Sequence, residues 1–258
     1  GGAERQAERL AVYLKNNGWP VWVITRRFYG LPAHQDYHGL EIVRPLTVGF
    51  GKLKTITFVL GTLYALWKLR SKYEILHAHL VYGPAFAAML AARFLGKRVI
   101  VKLGNSGEFG DVQHSQRTFR GRLRLALFRK WADVIIALDD TIYNEILSVG
   151  IDPKRIRRIS NGIDVGDFSP LQTRMEAKNK LGLTNKIVMV FVGRLSPQKS
   201  LPTLLTALER SLPTCPRLHL LLLGDGPDRI ALEEQTQLLG IGDYVEFFIA
   251  IEVTESFV

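Results

Sequence analysis

Residues 191–200 read FVGRLSPQKS, and the apolar run leading into them, Ile187–Val192, stops at Gly193. An apolar, mostly β-branched run ended by glycine is the pattern of a buried strand that empties into a tight turn. Arg194 and Lys199 follow at once, with Pro197 stiffening the link between them. A glycine turn lets backbone come close to a ligand, and two cations on it suit an anion with more than one charged group, such as a diphosphate. Any single Lys or Arg is more often a solvated surface charge, so the rest of the chain has to supply the context.

Downstream, the pattern predicts a helix over 201–211, the strand LHLLLLG (218–224), a helix over 228–239 and the strand YVEFF (244–248). Upstream, the chain opens on a helix, with Ala3, Ala7, Leu10, Ala11 and Leu14 at helical spacing and Gly18 at its end. Then come the strands PVWVIT (20–25) and LEIVRP (40–45), an apolar helix over 53–70, the strand YEILHAH (73–79) and a helix over 86–95. The strand RVIVKLG (98–104) empties into the polar loop NSGEFGDVQHSQ, and a basic helix, the strand ADVIIALD (132–139), a short helix through Leu147 and the strand RIRRIS (155–160) follow. Strand and helix alternate throughout, which predicts an α/β fold of parallel sheets covered on both faces.

SNGIDVGDFSP (160–170), dense in Gly, Asp, Ser and Pro, reads as a connector. It separates a Rossmann-like domain over 1–168, whose first strand is expected to be missing, from a second over 169–258. The second opens on a bridging helix over 176–181 and then holds only three strands, too few for a sheet of the usual size. The expectation is a chain truncated at both ends.

With 47% apolar and 22% charged residues over 258 positions, the composition is that of a soluble globular protein. The lone Cys215 excludes a disulfide framework, no Cys/His spacing resembles a zinc site, and a reducing cytoplasm is the expected compartment. ITFVLGTLYALW (56–67) falls well short of the ~20 residues that span a bilayer and reads as a buried or interfacial helix. GGAERQAERL has neither the basic nor the apolar region of a signal peptide, and it does not begin with Met.

The charge is lopsided. Residues 1–170 hold 25 of the 34 Lys and Arg but 14 of the 24 Asp and Glu. The densest stretch, RTFRGRLRLALFRKWAD (117–133), interleaves Arg117, Arg120, Arg122, Arg124, Arg129 and Lys130 with Leu and aromatic residues. Such a basic amphipathic helix suits anionic lipid headgroups or acidic substrates, and equally a solvated face packed by its leucines. No nucleic-acid-binding signature accompanies it, and nucleic acid is not an expected partner.

In open parallel sheets ligands sit beyond the carboxyl ends of the strands. That rule selects Gly1, Gly2, Thr25, Arg26, His77, His79, Gly104, Asn105, Ser106, Asp139, Asn161, Gly193, Arg194 and the run Gly224, Asp225, Gly226.

The motifs GGAER, HAH, SNGID, FVGRLSPQKS and LLLGDGP, in this order over nearly the whole chain, resemble those of the family 4 retaining glycosyltransferases, with their two-domain GT-B architecture. The resemblance implies transfer of a sugar from a nucleotide diphosphate sugar to a hydroxyl acceptor, lipid-linked or a glycan, in cell-envelope polysaccharide or glycolipid synthesis. It assigns Gly1 and Gly2 to the loop after the first strand, and Arg194 and Lys199 to the pair that binds the donor diphosphate and neutralises the leaving group. His79 resembles a histidine lining the donor sugar pocket, whereas His77 is expected on the other face of its strand, packed. Asn105, Gly193 and Gly224 are the remaining candidates for donor or acceptor binding. Charge on the leaving phosphate is stabilised either by a metal or by fixed cations and amide dipoles. No Asp-x-Asp motif is present, so neither metal nor cofactor is expected.

The family's pair of glutamates eight positions apart has no counterpart, since Glu246, Glu252 and Glu255 lack the spacing and IAIEVTESFV (249–258) departs from the pattern. Two alternatives stay open. One is a non-catalytic fragment that binds nucleotide or acceptor. The other is a sugar-nucleotide epimerase of the same architecture, which needs carboxylates and a histidine in the second domain, where only His219 stands.

Overall fold

The computed structural model describes residues 2–79, 83–107, 110–163 and 173–249, and the side chain of Arg120 is not among what it describes. Gly1, Asp164, most of the connector and the tail with Glu252 and Glu255 lie outside the described residues. The chain divides into two compact units, which meet in sequence at Ile163 and Asp164.

The first unit runs α1 (Gly2–Asn16), β1 (Trp22–Ile24), β2 (His34–Tyr37), β3 (Leu40–Val43), α2 (Gly51–Lys68), β4 (Ile75–His79) and α3 (Gly83–Leu95). It continues through β5 (Arg98–Lys102), α4 (Asp111–Gln116), α5 (Phe119–Trp131), β6 (Val134–Ala137), α6 (Asp140–Ser148) and β7 (Ile156–Arg158). Strands β4, β5, β6 and β7 pair in that order, all parallel. Val99, Val101 and Ile135 of the sheet are fully buried under Met89 of α3, Phe128 of α5 and Ile146 of α6. The Ala-rich face of α3 lets that helix lie close on the strands: Ala85, Ala87, Ala88, Ala91 and Ala92 are all buried.

The sequence pattern missed one strand. β2 pairs antiparallel with β3, and β3 pairs parallel with β1, in a second sheet of order β1-β3-β2. His38 and Gly39 both take positive φ, 50° and 75°, in the two-residue turn that joins β2 to β3. The sequence HQDY has no apolar alternation to reveal a strand; a bond from the Tyr37 hydroxyl to Glu8 of α1, 2.7 Å, ties it to the unit. The first unit is therefore not one continuous parallel sheet among its described residues.

The predicted basic helix over 117–133 is also shorter. Thr118 leaves helical geometry, accepts the Gly121 amide through its side chain, and starts α5 as a separate helix from α4. Gly121 is required there, because a Cβ would lie 2.0 Å from the Ser115 carbonyl oxygen.

The second unit runs α7 (Arg174–Lys180), β8 (Ile187–Val192), α8 (Leu201–Ser211), β9 (Leu218–Leu223), α9 (Arg229–Leu238) and β10 (Val245–Phe248). Thr173 and Glu176 form a capping box that starts α7. The strand order is β10-β9-β8, all parallel. Leu201, Leu205 and Leu208 recur on one face of α8 and bury against Leu220 and Leu222 of β9 and Leu232 of α9.

Candidate functional site

The turn after β8 is held by its backbone to the turn after β9. The Gly193 amide donates to the Leu223 carbonyl (3.0 Å), Leu195 to Asp225 (2.9 Å), and Asp228 back to Leu195 (3.2 Å). The two chains run so close that a Cβ on Gly224 would sit 1.9 Å from the Gly193 carbonyl oxygen, and one on Gly226 would sit 2.1 Å from that of Leu195. Both glycines of LLLGDGP are thus needed for backbone contact, whatever they do for a ligand. Asp225 accepts the Gly226 amide (2.8 Å), which fixes its carboxylate to the turn itself.

On this braced backbone the side chain of Leu195 is fully buried, while Arg194 and Lys199 are exposed on either side of it. Among the described residues neither cation has a hydrogen-bond or ion-pair partner. Lys199 ends a short 3-10 turn, Pro197–Lys199, and α8 starts just after it. α9 begins beyond the second glycine turn, whose Asp228, the residue just before the helix, is bonded to Leu195 of the cation turn. Aligned helix dipoles and two cations without a partner among the described residues together suit an anion of multiple charge.

In the first unit the carboxyl end of β4 carries His77 and His79. They share a face, since residues two apart on a strand point the same way. Their rings stack, 4.5 Å between centroids at 24°. The expectation that His77 points away is corrected: it is His79's stacking partner, and its Nε2 is buried without a hydrogen-bond partner among the described residues. Lys102, at the end of β5, stands in register with His79.

Burial first, then the Lys102 charge, lowers the His77 pKa to about 4. Burial, His77 and Lys102 lower that of His79 to about 4 as well, against a smaller upward pull from Glu4 of α1. Burial also lowers the Lys102 pKa. Near neutral pH both imidazoles are uncharged, able to donate or accept a hydrogen bond to a hydroxyl.

The loop after β5 carries Asn105, exposed, shortly after Lys102 in sequence. Two carboxylates shape the loop. Asp111, fully buried, accepts the Gly104 amide (3.1 Å), and Glu145 of α6 accepts the Gly107 amide (2.7 Å). Lys102, Glu4, Asp111 and Glu145 were not among the sequence candidates. Only an acidic residue at the start of α4, right after a Gly-rich loop, was there to hint at any of them.

Other candidates have structural employment. Gly2 lies in the first turn of α1 and not in a loop, because Ala3, Glu4, Arg5 and Gln6 are good helix formers and carry the helix back to it. Asp139 caps α6 by accepting the Ile142 amide (2.8 Å). Arg26 lies over the Phe58 ring, 5.3 Å from its centroid. His219 is bonded to Glu246 of the next strand (2.7 Å) near the amino end of β9, the opposite end from the glycine turns.

The description Glycosyltransferase Family 4 matches residues 1–167, and Glycosyl transferases group 1 matches residues 173–256. The chain belongs to glycosyltransferase family 4, and its sheets are the Rossmann-like units of the GT-B fold. It is similar to a phosphatidylinositol N-acetylglucosaminyltransferase subunit of Arabidopsis thaliana, 25% identical over 97% of this chain and 55% of that protein. Over 54% of this chain and 37% of the other, it is 31% identical to the Escherichia coli UDP-Gal:alpha-D-GlcNAc-diphosphoundecaprenol alpha-1,3-galactosyltransferase. Among solved structures, Anabaena Alr3699/HepE in complex with UDP and glucose superposes with a TM-score of 0.75 at 18% identity, covering 96% of this chain and 66% of that one. Sucrose-phosphate synthase of Thermosynechococcus elongatus gives 0.78 at 19%, covering 97% and 65%. The chain spans about half the length of the Arabidopsis relative it matches.

Proposed function

We propose that this chain carries the donor-diphosphate and sugar-side elements of a retaining hexosyltransferase. It takes a sugar from a nucleotide diphosphate sugar and delivers it to a hydroxyl acceptor, lipid-linked or a glycan, in cell-envelope polysaccharide or glycolipid synthesis. The observation that carries the reading is the pair Arg194 and Lys199, exposed and unpartnered among the described residues on a backbone that two glycine turns brace. Cleavage of the bond between the anomeric carbon and phosphate leaves charge on the diphosphate, which the two cations and the helix N-termini meet without a metal. The acceptor oxygen attacks on the face the diphosphate leaves, its proton passes to the departing phosphate, and configuration is retained. His79, uncharged, hydrogen-bonds a sugar hydroxyl, with Asn105 of the first unit and Gly193 and Gly224 of the second as further donor- or acceptor-binding residues of this reading. Similarity to relatives whose names contain UDP-Gal, diphosphoundecaprenol and phosphatidylinositol supports a nucleotide-sugar donor and a lipid-linked acceptor, which this reading places at the cytoplasmic face of a membrane.

The test is calorimetric titration of UDP, GDP and ADP into the chain and into Arg194→Ala and Lys199→Ala. Binding of one nucleoside diphosphate that either substitution weakens supports the reading; no binding by any of them sinks it. Transfer in the presence of chelator, with the product anomer read by NMR, then tests metal independence and retention. Binding without turnover by this chain leaves the fragment reading in place. The epimerase reading loses its histidine, because His219 is committed to Glu246 at the wrong end of its strand.

A further inference from the structure

Helix α2 turns an apolar stripe outward. Leu53, Ile56, Leu60, Tyr64 and Trp67 recur at intervals of three and four, so they share one face, and each is 50–65% exposed. The opposite face, with Phe58, Thr62, Ala65 and Leu66, is buried, and α2 packs on α3. The helix therefore has two apolar sides and the fold covers one of them. It is also locked in this roll: Gly61 sits so close to Pro45 that a Cβ would lie 2.7 Å from the proline ring.

The charges sit at the ends of the helix, all of one sign. Lys52 and Lys54 lie in the first turn, Lys68 in the last, and Arg70 and Lys72 just past it. No Asp or Glu occurs between Glu41 and Glu74. The exposed aromatics cluster at the C-terminal end, where Tyr64 and Trp67 stack at 6.1 Å and the Arg70 guanidinium lies 4.5 Å over the Trp67 ring. An apolar stripe with Trp and Tyr, whose own segment carries only cations, is complementary to a surface that is apolar beneath and anionic above. No described helix is long and apolar enough to cross a membrane, and a helix with one exposed apolar side suits the interface plane.

We propose that α2 is the membrane-docking element of this chain: its stripe enters the acyl boundary of an anionic bilayer, and its end cations meet the phosphate headgroups. This deepens the membrane-side acceptor of the proposed function and takes its purpose from that reading. It also moves the contact away from the basic helix. α5 keeps Leu125 and Phe128 inside and presents Arg122, Arg129 and Lys130 to solvent together with Phe119 and Leu123, a more charged face with a shorter apolar stripe than that of α2.

The experiment is flotation of the full chain, free of nucleotide, with vesicles of phosphatidylcholine containing about a quarter phosphatidylglycerol, against vesicles of phosphatidylcholine alone. The chain floats with the anionic vesicles, and about 0.5 M salt weakens binding by screening the cations. The double change Ile56→Gln and Leu60→Gln, at exposed positions, lowers the partition coefficient ~10-fold or more with an unchanged circular dichroism spectrum. Arg122→Gln with Arg129→Gln lowers it less. Three results overturn the proposal: no flotation, flotation that the α2 change leaves intact, or a dimer in sedimentation that the α2 change dissolves without any vesicle binding. Nucleoside diphosphate binding is measured on the same samples, so failure of docking and failure of the transferase reading register separately.

Discussion

The turn after β8 holds Arg194 and Lys199 in solvent with no partner among the described residues, whereas the end of β4 holds His77 and His79 half-buried and stacked on each other beside Lys102. One strand end keeps its charge available and spends backbone contacts on rigidity. The other gives up charge to burial and keeps neutral hydrogen-bonding groups. Under the proposed function, a leaving diphosphate takes the first kind of environment and a sugar hydroxyl the second.

The largest effect is expected where the rigidity of the first surface originates. Gly224→Ala places a Cβ against the Gly193 carbonyl oxygen at 1.9 Å, and backbone on both sides is tied into the β8 and β9 pairing. Relief requires the strands to separate, so the second unit loses about 3 kcal/mol or more, the upper end of overpacking costs. Urea unfolding, with hydrogen exchange of the β8 and β9 amides to assign the transition, measures it. A loss under about 1 kcal/mol would mean that the turns are not braced as described.

The second effect belongs to the histidines. Their folded pKa values near 4 lie below the ordinary 6.5, so the unfolded chain binds protons first as pH falls. The stability from burying them neutral is complete above about 6.5 and is lost as pH drops toward 4, amounting to about 3 kcal/mol for a single imidazole. The melting temperature of the first unit should fall over that window, and His77→Gln should flatten the profile. NMR titration placing both rings near 6.5 would break the comparison, because the pair would then carry charge through the mildly acidic range in which burial is held to keep it neutral.

Much of this was visible in the sequence, for a physical reason that also marks where visibility ended. β8, β9 and α8 show because apolar runs bounded by glycine, and leucines at helical spacing, are local patterns. β2 does not, because HQDY is held by a turn and by its neighbour rather than by its own composition. The outward stripe of α2 is hidden for the opposite reason: a helix apolar on both sides has no contrast from which periodicity can tell the covered side. Arg194 and Lys199 lie within one motif and could be found. Lys102 and Glu4 reach His79 from other elements, and only folding brings them there.

Smaller is the expected change on the exposed surface itself. Arg194→Ala and Lys199→Ala should each weaken nucleoside diphosphate binding about 10- to 30-fold, near 1.4–2 kcal/mol, the scale of a charge-assisted contact in partly solvated surroundings. The unfolding midpoint should stay put, since neither side chain has a partner to lose among the described residues. If either change also lowers stability by more than about 1 kcal/mol, the cation is structural and the division between available charge and braced backbone fails.

The smallest effect isolates a single backbone torsion between the two cations' turn and its helix. Ser200 takes φ 49° and ψ 36°, and its hydroxyl makes no capping bond to α8. A left-handed conformation costs a residue with a Cβ about 1–2 kcal/mol, which glycine avoids. Glycine also has more freedom to lose from the unfolded chain, about 0.4–1 kcal/mol, so the two terms partly cancel. Ser200→Gly should therefore stabilise the second unit by only about 0.5 kcal/mol, and Ser200→Ala should be neutral, because alanine keeps the Cβ and no hydroxyl bond is there to lose. Nucleotide affinity should change by less than about twofold in both, as Lys199 keeps its place at the end of the 3-10 turn. An alanine variant that is destabilised while the glycine variant is not would assign the hydroxyl a role in the turn. It would also mean that the cation turn depends on a side-chain bond and not on backbone alone, which narrows its contrast with the histidine pair.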